Sequence, residues 1–275
     1  MRMITRQDQP DKIMQLAGKY PHGVALIVLG GPSAAGWEEL RDKIQPDVIL
    51  GANGVNSMIQ DLDFWICSEN MNYTSRLAAS GDARGIEYME MFHREAGAKI
   101  KLVSHRSWNL LKDTSNCISI RRIGYEPDRV PEDFSYRVYG DGFMSGWVYE
   151  NFKILRLRQR VGNAGCQLLH MASILGCTEI FTIGFDMLFR AADHHHAYDY
   201  PIYKVDRFRN PANFVKYKGQ DTQEIWIACA RFLATMEPFF KRAGIRWVDH
   251  SDGLLKLMGL RCANDLWTDQ QPARD

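Results

Sequence analysis

The sequence carries almost no net charge: 34 Lys and Arg stand against 33 Asp and Glu, a formal charge of +1 at pH 7. That balance gives no electrostatic reason to expect nucleic acid, so the expected partner is a small molecule. Long hydrophobic runs are also missing. No window approaches the roughly 18 apolar residues of a membrane-spanning helix, and the opening MRMITRQDQPDK has no apolar leader core. Any membrane contact would then be peripheral. The six cysteines, Cys67, Cys117, Cys166, Cys177, Cys229 and Cys262, show no C-x-x-C spacing. Several lie in apolar runs, as buried thiols do, and the expectation is a reducing, cytoplasmic setting. There is no internal repeat, and His194, His195 and His196 are the nearest thing to a low-complexity tract.

What is present is apolar material for a sizeable core, 45% of 275 residues, enough for one large domain with insertions. Apolar runs ending in turn residues alternate with amphipathic stretches, the βαβ pattern. The expected fold is α/β: a Rossmann-like, mostly parallel sheet with helices on both faces and an inserted lid. Candidate strands are Val24–Leu29, Asp47–Gly51, Phe64–Cys67, Ile100–Val103, Ile180–Phe185 and Arg246–Val248. Candidate helices are Trp37–Lys43, Ile86–Ala96, Gln167–Leu175 and Thr222–Ala243, the last with Ile225, Ala228, Cys229, Phe232 and Met236 at helical spacing. The pattern breaks up over 114–148 and 187–221. Within a single domain spanning 1–275, segments of that length are expected to form a lid or an acceptor site.

Two glycine turns carry the functional reading. The first, LIVLGGPSAAG over Leu26–Gly36, ends an apolar run in Gly30, Gly31, Pro32 and Ser33. Gly31 and Gly36 have P-loop spacing, but Trp37 and Glu38 stand where Lys and Ser or Thr belong. A dinucleotide site needs G-x-G-x-x-G and an acid after the second strand, where this chain has Asn53. What remains is a turn whose glycines let backbone approach a ligand and whose Ser33 caps the following helix, or a plain capped turn. The second turn lies in RVGNAGCQLLHMASILGCTEIFTIGFDM, Arg160–Met187: a Gly/Asn loop, a helix closed by Gly176, and a strand ending in Asp186. In doubly wound sheets both turns and Asp186 reach one crevice. Asp186 would hold a hydroxyl, a metal-bound phosphate or an Arg, or simply cap the next turn.

LGGPS after the first strand, an Asn after the second and the GN-x(2)-G…A-x(2)-LG-x(2)-EI-x(3)-G-x-D block together resemble the superfamily that joins MptE-like 6-hydroxymethylpterin diphosphokinases to the Campylobacter-type bacterial sialyltransferases. The match runs over Val24–Asp186, with a weaker echo at AGIRWVDHSDGLL. The resemblance implies that Gly30, Gly31, Pro32 and Ser33 face nucleotide phosphates or ribose, that Asn53 with Ser68 and Asn70 contacts nucleotide or donor, and that Asn163, Ala164 and Gly165 lie against the nucleotide. It also implies a CMP-type nucleotide or nucleotide-sugar donor. Two positions depart: the sialyltransferases have GNGPS where this chain has LGGPS, and their general-base His after Tyr-x-Gly is Gln220 in Tyr217–Gln220.

Glutamine cannot act as a base, which turns attention to DHHHAYDYP. A histidine there suits general-base work at neutral pH, with His195 and His196 the substitutes. Asp193, His194 and His196 would alternatively ligate a metal, and an exposed loop without chemistry is the third reading. At most two consecutive histidines face one ligand in an extended chain. By resemblance Tyr198 and Tyr200 would contact the donor phosphate. Arg156, Arg158 and Arg160 alternate on a strand face, and Arg160, beside the turn, would reach phosphate bidentately. Lys204, Arg207 and Arg209 would close over an anion or merely be solvated, and His250 is a second candidate base.

The expected activity is transfer from a nucleotide donor, first of all glycosyl transfer from a nucleotide-activated sugar, with a lid histidine as base. The alternative is diphosphate transfer from ATP to a pterin-like alcohol, which would use Mg²⁺. A third reading is a nucleotide-binding protein without catalysis. The partners are a small-molecule donor and acceptor, and a homo-oligomer is left open.

Overall fold

The computed structural model describes residues 15–67, 71–83, 85–86, 89–90, 99–104, 116–120, 123–125, 136–139, 142–145, 155–157, 164–189 and 214–263. Its centre is a seven-stranded sheet in the order β13-β10-β1-β2-β3-β4-β5, every neighbouring pair parallel. The strands are β1 (Val24–Val28), β2 (Val48–Ala52), β3 (Phe64–Cys67), β4 (Ile100–Ser104), β5 (Cys117–Ile120), β10 (Glu179–Ile183) and β13 (Arg246–Asp249). Three two-stranded pieces accompany it: β6 (Ile123–Tyr125) with β9 (Leu155–Leu157), β7 (Tyr136–Tyr139) with β8 (Gly142–Ser145), and β11 (Phe214–Tyr217) with β12 (Gln220–Gln223).

Strand alternation assigns the two faces. Leu26 and Val28 of β1 join Phe181 and Ile183 of β10 under Trp37 and Leu40 of α1 (Trp37–Ile44). Ala25 and Ile27 point the other way, toward α3 (Ala164–Ile174), α4 (Glu224–Arg242) and α5 (Leu254–Leu257), while α2 (Met71–Ala79) follows β3. Helices thus cover both faces, which is the Rossmann-like α/β fold. α1 begins with Glu38 and Glu39 in its first turn, where the helix dipole favours acids, and stops at Gln45 in the left-handed region. α3 is buried along its whole length, so its amphipathic signal is weak although the helix is clear. Among the described residues two tryptophans are fully buried, and each indole finds an acceptor: Trp65 Nε1 donates to the Asn53 carbonyl at 2.8 Å and Trp247 Nε1 to Thr182 Oγ1 at 3.1 Å.

Several expectations shift. The strand expected over Ile180–Phe185 ends at Ile183, because Gly184 turns the chain with φ +82°. Thr222 and Gln223, expected in the long helix, belong to β12. The irregular stretch 114–148 holds β5, an edge strand of the main sheet, along with β6, β7 and β8. In Cys117–Ile120 the polar Ser119 breaks the apolar run, so the strand does not stand out from its surroundings. Phe214–Tyr217, expected in the irregular stretch 187–221, pairs with β12 across a two-residue turn with Lys218 at φ +47° and Gly219 at φ +83°. Both turn residues in the left-handed region match the twist of a tight hairpin. Most of the helix expected over Ile86–Ala96 lies outside the described residues.

Candidate functional site

Successive strands run outward from β1 in one direction through β2 to β5 and in the other through β10 to β13, so the strand order reverses between β1 and β10. Ligands of doubly wound sheets bind at such a point, beyond the carboxyl ends of the strands. Gly30–Ser33 leave β1 there and Gly184–Asp186 leave β10 there.

The two loops are tied to each other. Ser33 Oγ donates to Asp186 Oδ2 at 2.6 Å and the Ser33 amide donates to the same oxygen at 3.2 Å. The Gly184 amide donates to Ser33 Oγ at 3.1 Å, and the Gly31 amide to the Gly184 carbonyl at 2.9 Å. Asp186 is buried. The hydroxyl that it holds is that of Ser33, in the chain itself. Ser33 therefore does not cap α1, which has no side-chain cap.

The glycines are explained by the same closeness. A Cβ on Gly31 would meet Asp186 Oδ2 at 2.1 Å and the Gly184 carbonyl at 2.6 Å, and one on Gly253 would meet the Asp186 carbonyl at 2.1 Å. The close approach that Gly31 permits is to Asp186. Gly165 likewise has Phe185 Cε2 2.0 Å and Leu29 Cδ1 2.7 Å from its Cβ position. This packing sets the amino end of α3 beside the carboxyl ends of β1 and β10. With the amides of Gly31, Ser33 and Ala34 bonded internally, the first turn is a rigid wall, and these three amides do not form an open phosphate cradle.

Asn53, at the end of β2, lies in the left-handed region with φ +52°. Its Oδ1 is buried without a hydrogen-bond partner among the described residues, as is Oδ1 of Asn56 in the same turn. Orphaned buried acceptors are uncommon and suit a donor from outside the chain.

A second polar cluster, missed in the sequence, stands behind Asp186. Thr182 Oγ1 and Ser251 Oγ both donate to Asp249 Oδ1, at 2.6 and 2.9 Å, and the Phe185 amide donates to Ser251 Oγ at 2.7 Å. Burial pushes the Asp249 carboxyl up to about 7, the two hydroxyl donors oppose that rise, and the charge of Asp186 adds to it. The run VDHSDG contains Asp249 and Ser251, and between them stands the candidate base His250, whose ring centroid lies 5.9 Å from that of Phe181. Gln220 lines an open cleft of about 380 Å³ with Leu188, Asp252, Gly253, Lys256 and Leu257.

Of the other expected residues, Gly30, Pro32 and Ala164 stand with these loops. Ser68, Asn70, Arg158, Arg160, Asn163, His194, His195, His196, Tyr198, Tyr200, Lys204, Arg207 and Arg209 lie outside the described residues, as does Asp193. The segment that holds the histidines begins after Phe189 and ends before Phe214, and those two rings lie 4.4 Å apart. Among the described residues no three His, Cys, Asp or Glu are grouped to hold a metal ion, and no helix is long and apolar enough to cross a membrane. All six cysteines are buried and none is in a disulfide.

No protein-family model matches the chain, and no curated protein matches it. Among solved structures it is similar to the sialyltransferase CstII from Campylobacter jejuni in complex with a substrate analogue, cytidine-5'-monophosphate. The identity is 14% and the TM-score 0.42, over 85% of this chain and 82% of that one. It is similar also to an alanine variant of sialyltransferase CST-II in complex with CMP, at 15% identity and TM-score 0.42 over 84% and 83% of the two chains. The diphosphokinase side of the resemblance finds no support in these comparisons.

Proposed function

We propose that the protein is a nucleotide-dependent transferase that takes a nucleotide-activated sugar and passes the sugar to an acceptor hydroxyl. The observation that carries this reading is the amino end of α3, fixed by the Gly165 contact with Phe185 and Leu29 at the point where the strand order reverses. A helix amino end offers unpaired N–H groups and a positive potential to a phosphate without any lysine. This fits a chain that has neither a P-loop lysine nor a dinucleotide-type acid. The phosphate would lie against Asn163, Ala164 and Gly165, and the ribose against the wall formed by Gly30, Gly31, Pro32 and Ser33. Asn53 Oδ1 would accept a hydrogen bond from a nucleoside hydroxyl or amine, with Ser68 and Asn70 flanking it. The motif resemblance makes a cytidine nucleotide the first choice.

In the reaction, His195 or His196 would take the proton of the acceptor hydroxyl as it attacks the anomeric carbon. Arg160 and Tyr198 would stabilise charge on the departing phosphate. Asp186 has the supporting part of holding Ser33 and the first turn in place. A thermal-shift panel of CMP, CDP, UDP, GDP and ATP tests the reading, each with and without Mg²⁺. A metal-independent shift with a nucleotide mono- or diphosphate is the expected result. An ATP shift that requires Mg²⁺ would instead favour diphosphate transfer. Nucleotide binding without turnover would favour a non-catalytic role, and no shift at all contradicts every reading above.

A further inference from the structure

Among the described residues, Asp249 is the buried carboxyl in this region that the proposed chemistry does not use. Its Oδ1 accepts from Thr182 and Ser251, hydroxyls on two different strand ends, and Ser251 in turn receives the Phe185 amide next to Asp186. Its Oδ2 is buried with no partner among the described residues. Two more bonds bind the same ends together: the His250 amide to the Thr182 carbonyl at 2.7 Å and the Leu254 amide to the Asp186 carbonyl at 2.7 Å. The β10 turn is therefore held from one side by Ser33 and from the other by a relay that converges on one carboxyl oxygen.

We propose that Asp249 is a positioning residue for the Asp186 turn, acting through Ser251 and Thr182, and that ionisation of either carboxyl disfavours ionisation of the other. The inference rests on the nucleotide reading only for its consequence, that the site's affinity for an anionic ligand falls when both carboxyls are charged. The groups that face Asp249 are consistent with this coupling. From the β10 side it sees Asp186. From the short 3-10 turn at Arg261–Ala263 it sees the Cys262 thiol, whose pKa is raised by burial first, then by Asp249, then by Glu237 of α4. No cation among these groups neutralises Asp249. A lone pair on an unpartnered buried oxygen favours the protonated acid, which burial already favours. When the proton leaves, a second negative charge appears beside Asp186, and Ser251 and Thr182 are drawn more strongly to Asp249.

The indole of Trp247 reports this event without any ligand, because its N–H donates to Thr182 Oγ1, whose own proton goes to Asp249. The experiment follows the Trp247 indole N–H resonance from pH 5 to 9 in the full chain, assigned with Trp247→Phe. One titration near neutrality is expected, absent in Asp249→Asn. Asp186→Asn should lower the midpoint by about one unit by removing the like charge, and Ser251→Ala should raise it by about one unit by removing a donor. A resonance that does not titrate, or that titrates unchanged in Asp249→Asn, overturns the proposal. Should Asp249→Asn fail to fold, the opposite midpoint shifts of the other two variants decide it, and equal midpoints overturn it. CMP affinity measured over the same range should fall as Asp249 ionises and be flat in Asp249→Asn. Should CMP bind at no pH, the functional reading fails while the titration still judges the relay.

Discussion

Ser33 Oγ donates to Asp186 Oδ2 at 2.6 Å across the gap between the ends of β1 and β10, 153 residues apart in the chain. A short bond from a hydroxyl to a buried carboxylate is charge-assisted and stronger than a neutral one. Ser33→Ala removes one donor and leaves a buried charge less well satisfied, so a loss of about 2 kcal/mol is expected in urea unfolding. Asp186→Ala should cost at least as much. The double variant should cost less than the sum, because the two changes remove the same bond.

Glycine at position 31 is required by Asp186 whether or not a ligand binds. Gly31→Ala places a methyl 2.1 Å from Asp186 Oδ2 and should destabilise the apo protein by about 1–3 kcal/mol. Gly36→Ala is the control. Its Cβ would meet nothing nearer than Ile183 Cδ1 at 3.9 Å, and a change within about 0.5 kcal/mol is expected.

Much of the fold is legible in the sequence for a physical reason: buried parallel strands read as short apolar runs ended by turn residues. Val24–Val28 and Phe64–Cys67 both show this pattern. Cys117–Ile120 does not, since the polar Ser119 interrupts its apolar residues. That Gly30–Ser33 and Asp186 meet is legible too, because both follow strands of one parallel sheet. Their purpose toward each other is not. G-G-P-S is the same string whether its amides face a phosphate or the next loop, and only the register of β1 on β10, which is long-range, decides that. The relay at Asp249 is hidden for the same reason, since its bonds join residues up to 67 apart.

Two buried groups predict a pH profile of stability. Burial holds His170 down at about 4. The unfolded chain takes up that proton near pH 6.5, so His170 makes stability rise with pH between about 4 and 6.5. Asp249 acts oppositely: the folded chain keeps its proton to about 7, the unfolded chain releases it near 3.9, and stability falls as pH rises across that interval. The two slopes offset each other in the native protein. Urea unfolding of Asp249→Asn should then show stability rising from pH 4 to 6.5, and His170→Gln should show it falling from pH 4 to 7.

Cys166 of α3 and Cys229 of α4 place their sulfurs 3.3 Å apart in the core, one residue past the Gly165 contact with Phe185. Under hydrogen peroxide, one thiol forms a sulfenic acid and the other displaces water from it, giving a disulfide. Peptide mapping after denaturing alkylation should find Cys166 and Cys229 joined before any other pair. Preferential loss of Cys67 or Cys177 would contradict the spacing.

Nucleotide binding at the reversal of strand order is the central claim, and calorimetric titration with CMP in the absence of divalent metal tests it most directly. Saturable binding is expected, weakened about tenfold or more in Asn53→Ala, with loss of one hydrogen bond to a buried acceptor as the cause. Absence of binding by CMP and by the other nucleotides, or binding that Asn53→Ala leaves untouched, would contradict it.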